Sequence, residues 1–90
     1  MGCATAREIR TFSGHIYDVN QILFSPNGLN IFSCSDDKSI KIWDITKSIA
    51  INTLQGHKGK VTSISISPDG QYLLSGDSEG IAIIWDIKTG

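Results

Sequence analysis

Apolar and polar residues trade places along this chain in runs too short for helices. Residues 19–24, 30–35, 40–43 and 49–54 are rich in β-branched and aromatic side chains and are bounded by turn formers, which predicts four strands of an antiparallel sheet. Between the first two runs, Pro26-Asn27-Gly28 joins a proline of preset φ to an Asn and to a glycine that accepts positive φ. Pro68-Asp69-Gly70 repeats the device, so both segments mark tight turns. Residues 81–85 are apolar on both faces, the pattern of a strand covered from two sides.

The pattern occurs twice. Gly14-His15 leads to Trp43-Asp44 and Gly56-His57 leads to Trp85-Asp86, each landmark displaced by the same 42 residues. At this offset, with no gap, Val19/Val61, Ile22/Ile64, Ser25/Ser67, Pro26/Pro68, Gly28/Gly70, Ser33/Ser75, Ile42/Ile84 and Ile45/Ile87 are also identical. Such a period means one supersecondary unit per repeat, a unit that cannot bury both faces until neighbours stack on it. Turn formers, apolar alternators and one polar group per strand are what repeated packing requires.

These residues resemble the WD40 family closely. The family pattern reads Gly14-His15, Phe24-Ser25-Pro26-Asn27-Gly28, Ser33-Cys34-Ser35-Asp36-Asp37 and Ile40-Lys41-Ile42-Trp43-Asp44. A second copy reads Gly56-His57, Ile66-Ser67-Pro68-Asp69-Gly70, Ser75-Gly76-Asp77-Ser78-Glu79 and Ile83-Ile84-Trp85-Asp86. What the resemblance implies is an all-β fold, a β-propeller of four-stranded antiparallel blades. Residues 1–6 then form a leader or tail, 7–12 an outer strand d, 13–54 the first blade and 55–90 a second blade lacking its own strand d.

Two blades leave two sheet faces wet, and a stack of repeats needs about three or more units, so the chain is expected to find partners. One loose outer strand at the start matches one vacancy at the end. That strand is expected to complete a neighbouring copy's blade, head to tail, in a closed homo-oligomer. Four chains giving eight blades is the first expectation and three giving six the second. The alternative is an engineered or excised propeller fragment whose only evident activity is self-assembly. Met1-Gly2-Cys3 invites a myristoylation reading, but Ala6 stands where that pattern wants Ser or Thr, so a tail or expression scar accounts for the leader more simply.

Composition narrows the class. With 40% hydrophobic and 19% charged residues and a net charge of −1, the chain reads as a soluble packed protein. No apolar run approaches the roughly 20 residues of a membrane span, and no signal peptide is evident. Eight basic residues against nine acidic ones argue against nucleic acid as a partner. Cys3, Cys34, His15 and His57 make no metal-binding spacing, and nothing calls for a cofactor. Two such cysteines suit a reducing compartment, hence an intracellular and cytoplasmic location.

Each repeat carries a His, a Ser and an acid, which superficially suggests a hydrolase triad. The resemblance implies a structural relay instead: His15, Ser33, Asp37 and Trp43 in the first repeat, His57, Ser75, Glu79 and Trp85 in the second. Its purpose is to satisfy buried donors and acceptors. Glu79 stands where the family has Asp, and Ile81 where the first repeat has Ser39, so the second set is expected to be the weaker. The resemblance further implies a non-enzymatic protein–protein interaction scaffold, binding an unidentified protein or peptide through the d-to-a and b-to-c loops. Those loops carry Ile16, Tyr17, Asp18, Ser35, Asp36 and Lys38 in the first repeat, and Lys58, Lys60, Asp77 and Ser78 in the second. Tyr17 is the expected anchor, unless it packs against a neighbouring blade.

Overall fold

A computed structural model describes residues 11–47 and 49–87. Seven strands follow one another: β1 (Val19–Phe24), β2 (Asn30–Ser35), β3 (Ser39–Asp44), β4 (Ile49–Gln55), β5 (Val61–Ile66), β6 (Tyr72–Asp77) and β7 (Ala82–Asp86). They form a four-stranded sheet in the order β1-β2-β3-β4 and a three-stranded sheet in the order β5-β6-β7, each pair antiparallel. Residues 1–6 and 7–10 of the expected leader and outer strand lie outside the described residues. Thr11 and Phe12 are described and take part in no strand; the Phe12 ring lies 5.4 Å from that of Trp43 in the same chain.

The turns follow from their side chains. Gly28 and Gly70 both stand at φ 74, and each donates its N–H to the carbonyl of the Ser three residues before the end of its turn, Ser25 or Ser67, at 2.9 Å. The serine hydroxyls donate to Asn27 and Asp69, and accept from the N–H groups of Asn30 and Tyr72 that open the next strands. The β2–β3 turn has its left-handed residue at Lys38, φ 73, where the β6–β7 turn has Gly80 at φ 81. The second repeat therefore meets with a glycine a backbone demand that the first meets with a strained lysine.

Registry sorts each sheet into two faces. On the first sheet, Ile22–Ser33–Lys41 and Phe24–Ile31–Trp43 form cross-strand rows of the front face, while Gln21–Cys34–Ile40 and Leu23–Phe32–Ile42 form rows of the back. The back face packs on the front of the second sheet. Phe32, Cys34, Ile40, Ile42, Leu54, Val61, Ile64 and Leu73 make one buried core between the two layers. Ile22 on the front of the first sheet is 63% exposed and Ile84 on the back of the second 71% exposed, so the outer faces stay open.

Hydrogen bonds fasten the layers. A register shift between Val19 and Gln21 marks a bulge in β1. From there the Asn20 amide donates to the Val61 carbonyl at 2.8 Å, and the Gln21 side-chain oxygen accepts from the Ile64 N–H at 2.8 Å. No described helix is long and apolar enough to cross a membrane.

Gln21→Ala should cost about 1–3 kcal/mol in urea unfolding, because the Ile64 N–H loses its acceptor at the edge of the core. Amide exchange at Ile64 should accelerate in the same variant. Gly80→Ala should cost about 1 kcal/mol through φ alone, since an added Cβ there meets nothing within 4 Å.

Candidate functional site

In the first blade, four elements bring four polar side chains together. His15 comes from the loop before β1, Ser33 from β2, Asp37 from the β2–β3 turn and Trp43 from β3. Trp43 Nε1 donates to Ser33 Oγ at 2.8 Å. Ser33 Oγ lies 2.6 Å from His15 Nε2, and His15 Nδ1 lies 2.8 Å from Asp37 Oδ2. An ionised carboxylate only accepts, so the Nδ1 proton points at Asp37; Nε2 is then free to accept the Ser33 hydroxyl proton. The chain of donors runs one way, from indole to carboxylate.

Asp37 is held from several sides. Its Oδ2 also accepts from the Ile16 N–H at 3.1 Å, and its Oδ1 accepts from Ser39 N at 2.9 Å and Ser39 Oγ at 2.5 Å. Burial alone would raise its pKa, but the bonds from Ser39, His15 and Ile16 outweigh burial and lower it from 3.8 to about 2.

The second blade repeats the set with one correction. His57 Nε2 meets Ser75 Oγ at 2.6 Å and Trp85 Nε1 donates to Ser75 Oγ at 2.8 Å. The acid on His57 Nδ1 is Asp77, at 2.6 Å, and not Glu79. Asp77 aligns with Ser35, whose hydroxyl in the first blade accepts the Asp37 N–H at 3.0 Å to brace the turn. In the second blade Asp77 Oδ1 braces the same turn, accepting from Glu79 N at 2.8 Å and Ile81 N at 3.0 Å, while Oδ2 holds the histidine. One carboxylate does the work that Ser35 and Asp37 divide. Glu79 is left exposed, and the hydroxyl missing at Ile81 is one that Asp77 does not need. Burial pushes the Asp77 carboxyl up, but the Ile81 N–H, the His57 ring and the Glu79 N–H bring it below its ordinary value.

The hydroxyls are poorly placed for nucleophilic attack. Ser33 is 3% and Ser75 1% exposed, and each oxygen already carries an indole N–H. Burial pushes the Cys34 thiol up, and among the described residues no cluster of His, Cys, Asp and Glu could hold a metal ion.

The candidate binding residues separate into two groups. Ile16, Tyr17, Asp18, Lys38, Lys58, Lys60 and Ser78 are exposed, and Asp36 is half-buried. Ser35 and Asp77 are corrections: the first is fully buried with its hydroxyl on the Tyr17 carbonyl, and the carboxylate of the second is enclosed against His57. Asn20, which the sequence did not single out, joins this surface to the core by donating to Asp36 Oδ1 at 2.7 Å as well as to Val61. Its only sequence signal is an amide beside the apolar start of β1.

The family model for the WD domain, G-beta repeat, matches residues 6–44 and 49–86. The chain belongs to the WD40 family. A solved structure of U3-55K matches this WD40 chain with a TM-score of 0.85 at 29% identity, covering 89% of it and 26% of that chain; a crystal structure of RRP9 WD40 repeats matches equally. Nuclear distribution protein PAC1 of Candida tropicalis is 43% identical over 44 residues, 48% of this chain and 9% of that protein. The guanine nucleotide-binding protein subunit beta of Arabidopsis thaliana is 43% identical over 42 residues, 47% of this chain and 11% of its own length. The matched segments thus span about a tenth of the length of these curated relatives.

Asp37 ties the WD40 relay to pH. Its folded pKa lies below the ordinary 3.8, so its contribution to stability is complete above 3.8 and disappears as pH falls through about 2. Urea midpoints measured from pH 4.5 to 2 should fall across this window, and Asp37→Asn should flatten the fall. Asp77→Asn should lower the midpoint at neutral pH, whereas Glu79→Gln should leave it unchanged; the reverse ranking would restore Glu79 to the relay.

Proposed function

We propose that this WD40 chain is a protein–protein interaction scaffold whose recognition surface is the loop end of its blades. The observation that carries the reading is the pinning of the loop before β1. His15 is bonded at both ring nitrogens and the Ile16 N–H rests on Asp37, yet the Ile16 and Tyr17 side chains are 80% and 65% exposed. Two apolar anchors on a backbone already fixed offer contact area with little ordering left to lose on binding. Lys38, Lys58 and Lys60 stand among the exposed loop residues and Asp18 beside Tyr17, giving a mixed-charge setting around the anchors.

The relay residues have structural work in this reading, and the protein is not an enzyme. Its two blades operate within a closed ring, because the two outer faces are apolar and open. The remaining blades come either from copies of the same chain, four giving eight and three giving six, or from WD40 blades of other sequence.

Selection of a random-peptide display library on the chain tests the surface. Peptides retained by the native chain should bind Tyr17→Ala at least about tenfold more weakly, with an unchanged urea midpoint. Binders indifferent to both Tyr17→Ala and Ile16→Ser would place recognition elsewhere.

A further inference from the structure

The core between the sheets provides a template for how one blade seats another. Two rows on the back of the first sheet, Leu23–Phe32–Ile42 and Gln21–Cys34–Ile40, pack toward Val61, Ile64 and Leu73, and Gln21 reaches the Ile64 N–H. The matching rows on the back of the second sheet are Ser65–Leu74–Ile84 and Ser63–Gly76–Ala82. Ile42 is matched by Ile84; every other position is smaller. Beside these small residues is a hollow of about 330 Å³ lined by Ser63, Ser65, Leu74, Gly76 and Ala82 together with Gln21, Ile64 and Ser75. Gly76 is kept small by its neighbour, since an added Cβ would lie 3.2 Å from Ser63 Oγ.

A second copy of the chain would bring the front of its first sheet to this hollow. That face has Phe24 where the second sheet has Ile66, and the larger ring answers the Ser65–Leu74–Ile84 row. Over the Ser63–Gly76–Ala82 row it brings Val19 and Ile22, no larger than the Val61 and Ile64 that already fill the template row of Gln21, Cys34 and Ile40. A copy would therefore leave a void where close packing is needed. Ser63 is also too short to repeat the clasp that Gln21 makes on the next blade's backbone.

Resting on the ring reading above, we propose that the hollow is a socket for a WD40 blade of different sequence from this chain's own. That blade carries an aromatic or long-chain apolar residue on its inner strand where the first blade has Ile22. The neighbour on this side is selected by size, and self-pairing is disfavoured.

Sedimentation of the 90-residue chain over a concentration series tests the socket, using two changes at exposed positions. Ile22→Phe enlarges the knob and Ala82→Ile fills the hollow. Each alone should strengthen head-to-tail self-association about tenfold over the native chain, which should stay largely monomeric at micromolar concentration. Together they should overfill one space and lose that gain. A native chain that forms a discrete ring of three or four copies, or single variants that associate no better than the native chain, would overturn the proposal. Neither result bears on the Tyr17 surface, which the peptide selection scores separately.

Discussion

Each blade buries most of an indole, and an indole has one polar hydrogen that must end on an acceptor. Trp43 and Trp85 end theirs on Ser33 and Ser75. With one lone pair taken, the serine turns its own proton to the histidine Nε2, and the histidine in turn presents Nδ1–H to a carboxylate. A single requirement in the third strand thereby fixes the second strand, the entry loop and the turn at the far end of the sheet. Left unpaired, these buried groups would each cost about 1–3 kcal/mol, which is why the arrangement recurs in full in both repeats. The geometry that resembles a hydrolytic triad is a chain of satisfied donors ending on a charge.

The second constraint is layering. A blade has two apolar faces, and among the described residues the buried core lies between the back of the first and the front of the second. Identity at Val19/Val61, Ile22/Ile64 and Trp43/Trp85 makes the two front faces alike, whereas the two backs differ at almost every position. Repeat symmetry therefore governs how a blade is built more strictly than what it packs against. The bulge in β1 shows the same division: both sheets have it, but only the first uses it to send an amide across to its neighbour.

Most of the fold was legible because a 42-residue offset aligns turns with turns and strands with strands; β1 and β2 match their sequence-read bounds, and β3 and β4 run at most one residue further. Three of the four relay residues in the second blade followed from the same offset. The fourth did not, because alignment by position assigns Glu79 to the place of Asp37, while space assigns it to Asp77. Asp77 has the mark of a turn brace, an acid closing a strand three residues ahead of a glycine at positive φ, but that signal says nothing of a histidine twenty residues earlier. Ser35 was misplaced on the surface for a related reason: a hydroxyl at a strand end looks like a loop residue until its partner, the Tyr17 carbonyl, is known. The amide clasps of Asn20 and Gln21 depend on the distance between two sheets, which no local pattern encodes.

The migration of the acid by two positions has a consequence for how such repeats diverge. The histidine specifies a location for negative charge and is indifferent to which link of the chain delivers it. The second repeat itself carries acids at both positions, Asp77 and Glu79, with Asp77 on the ring nitrogen, so a repeat can hold both without losing the contact. Counting residues from the histidine to the acid misses the second repeat's contact, whereas measuring the distance to His57 Nδ1 finds it. The second blade, which departs from the family pattern at Glu79, keeps the same bond at a new address.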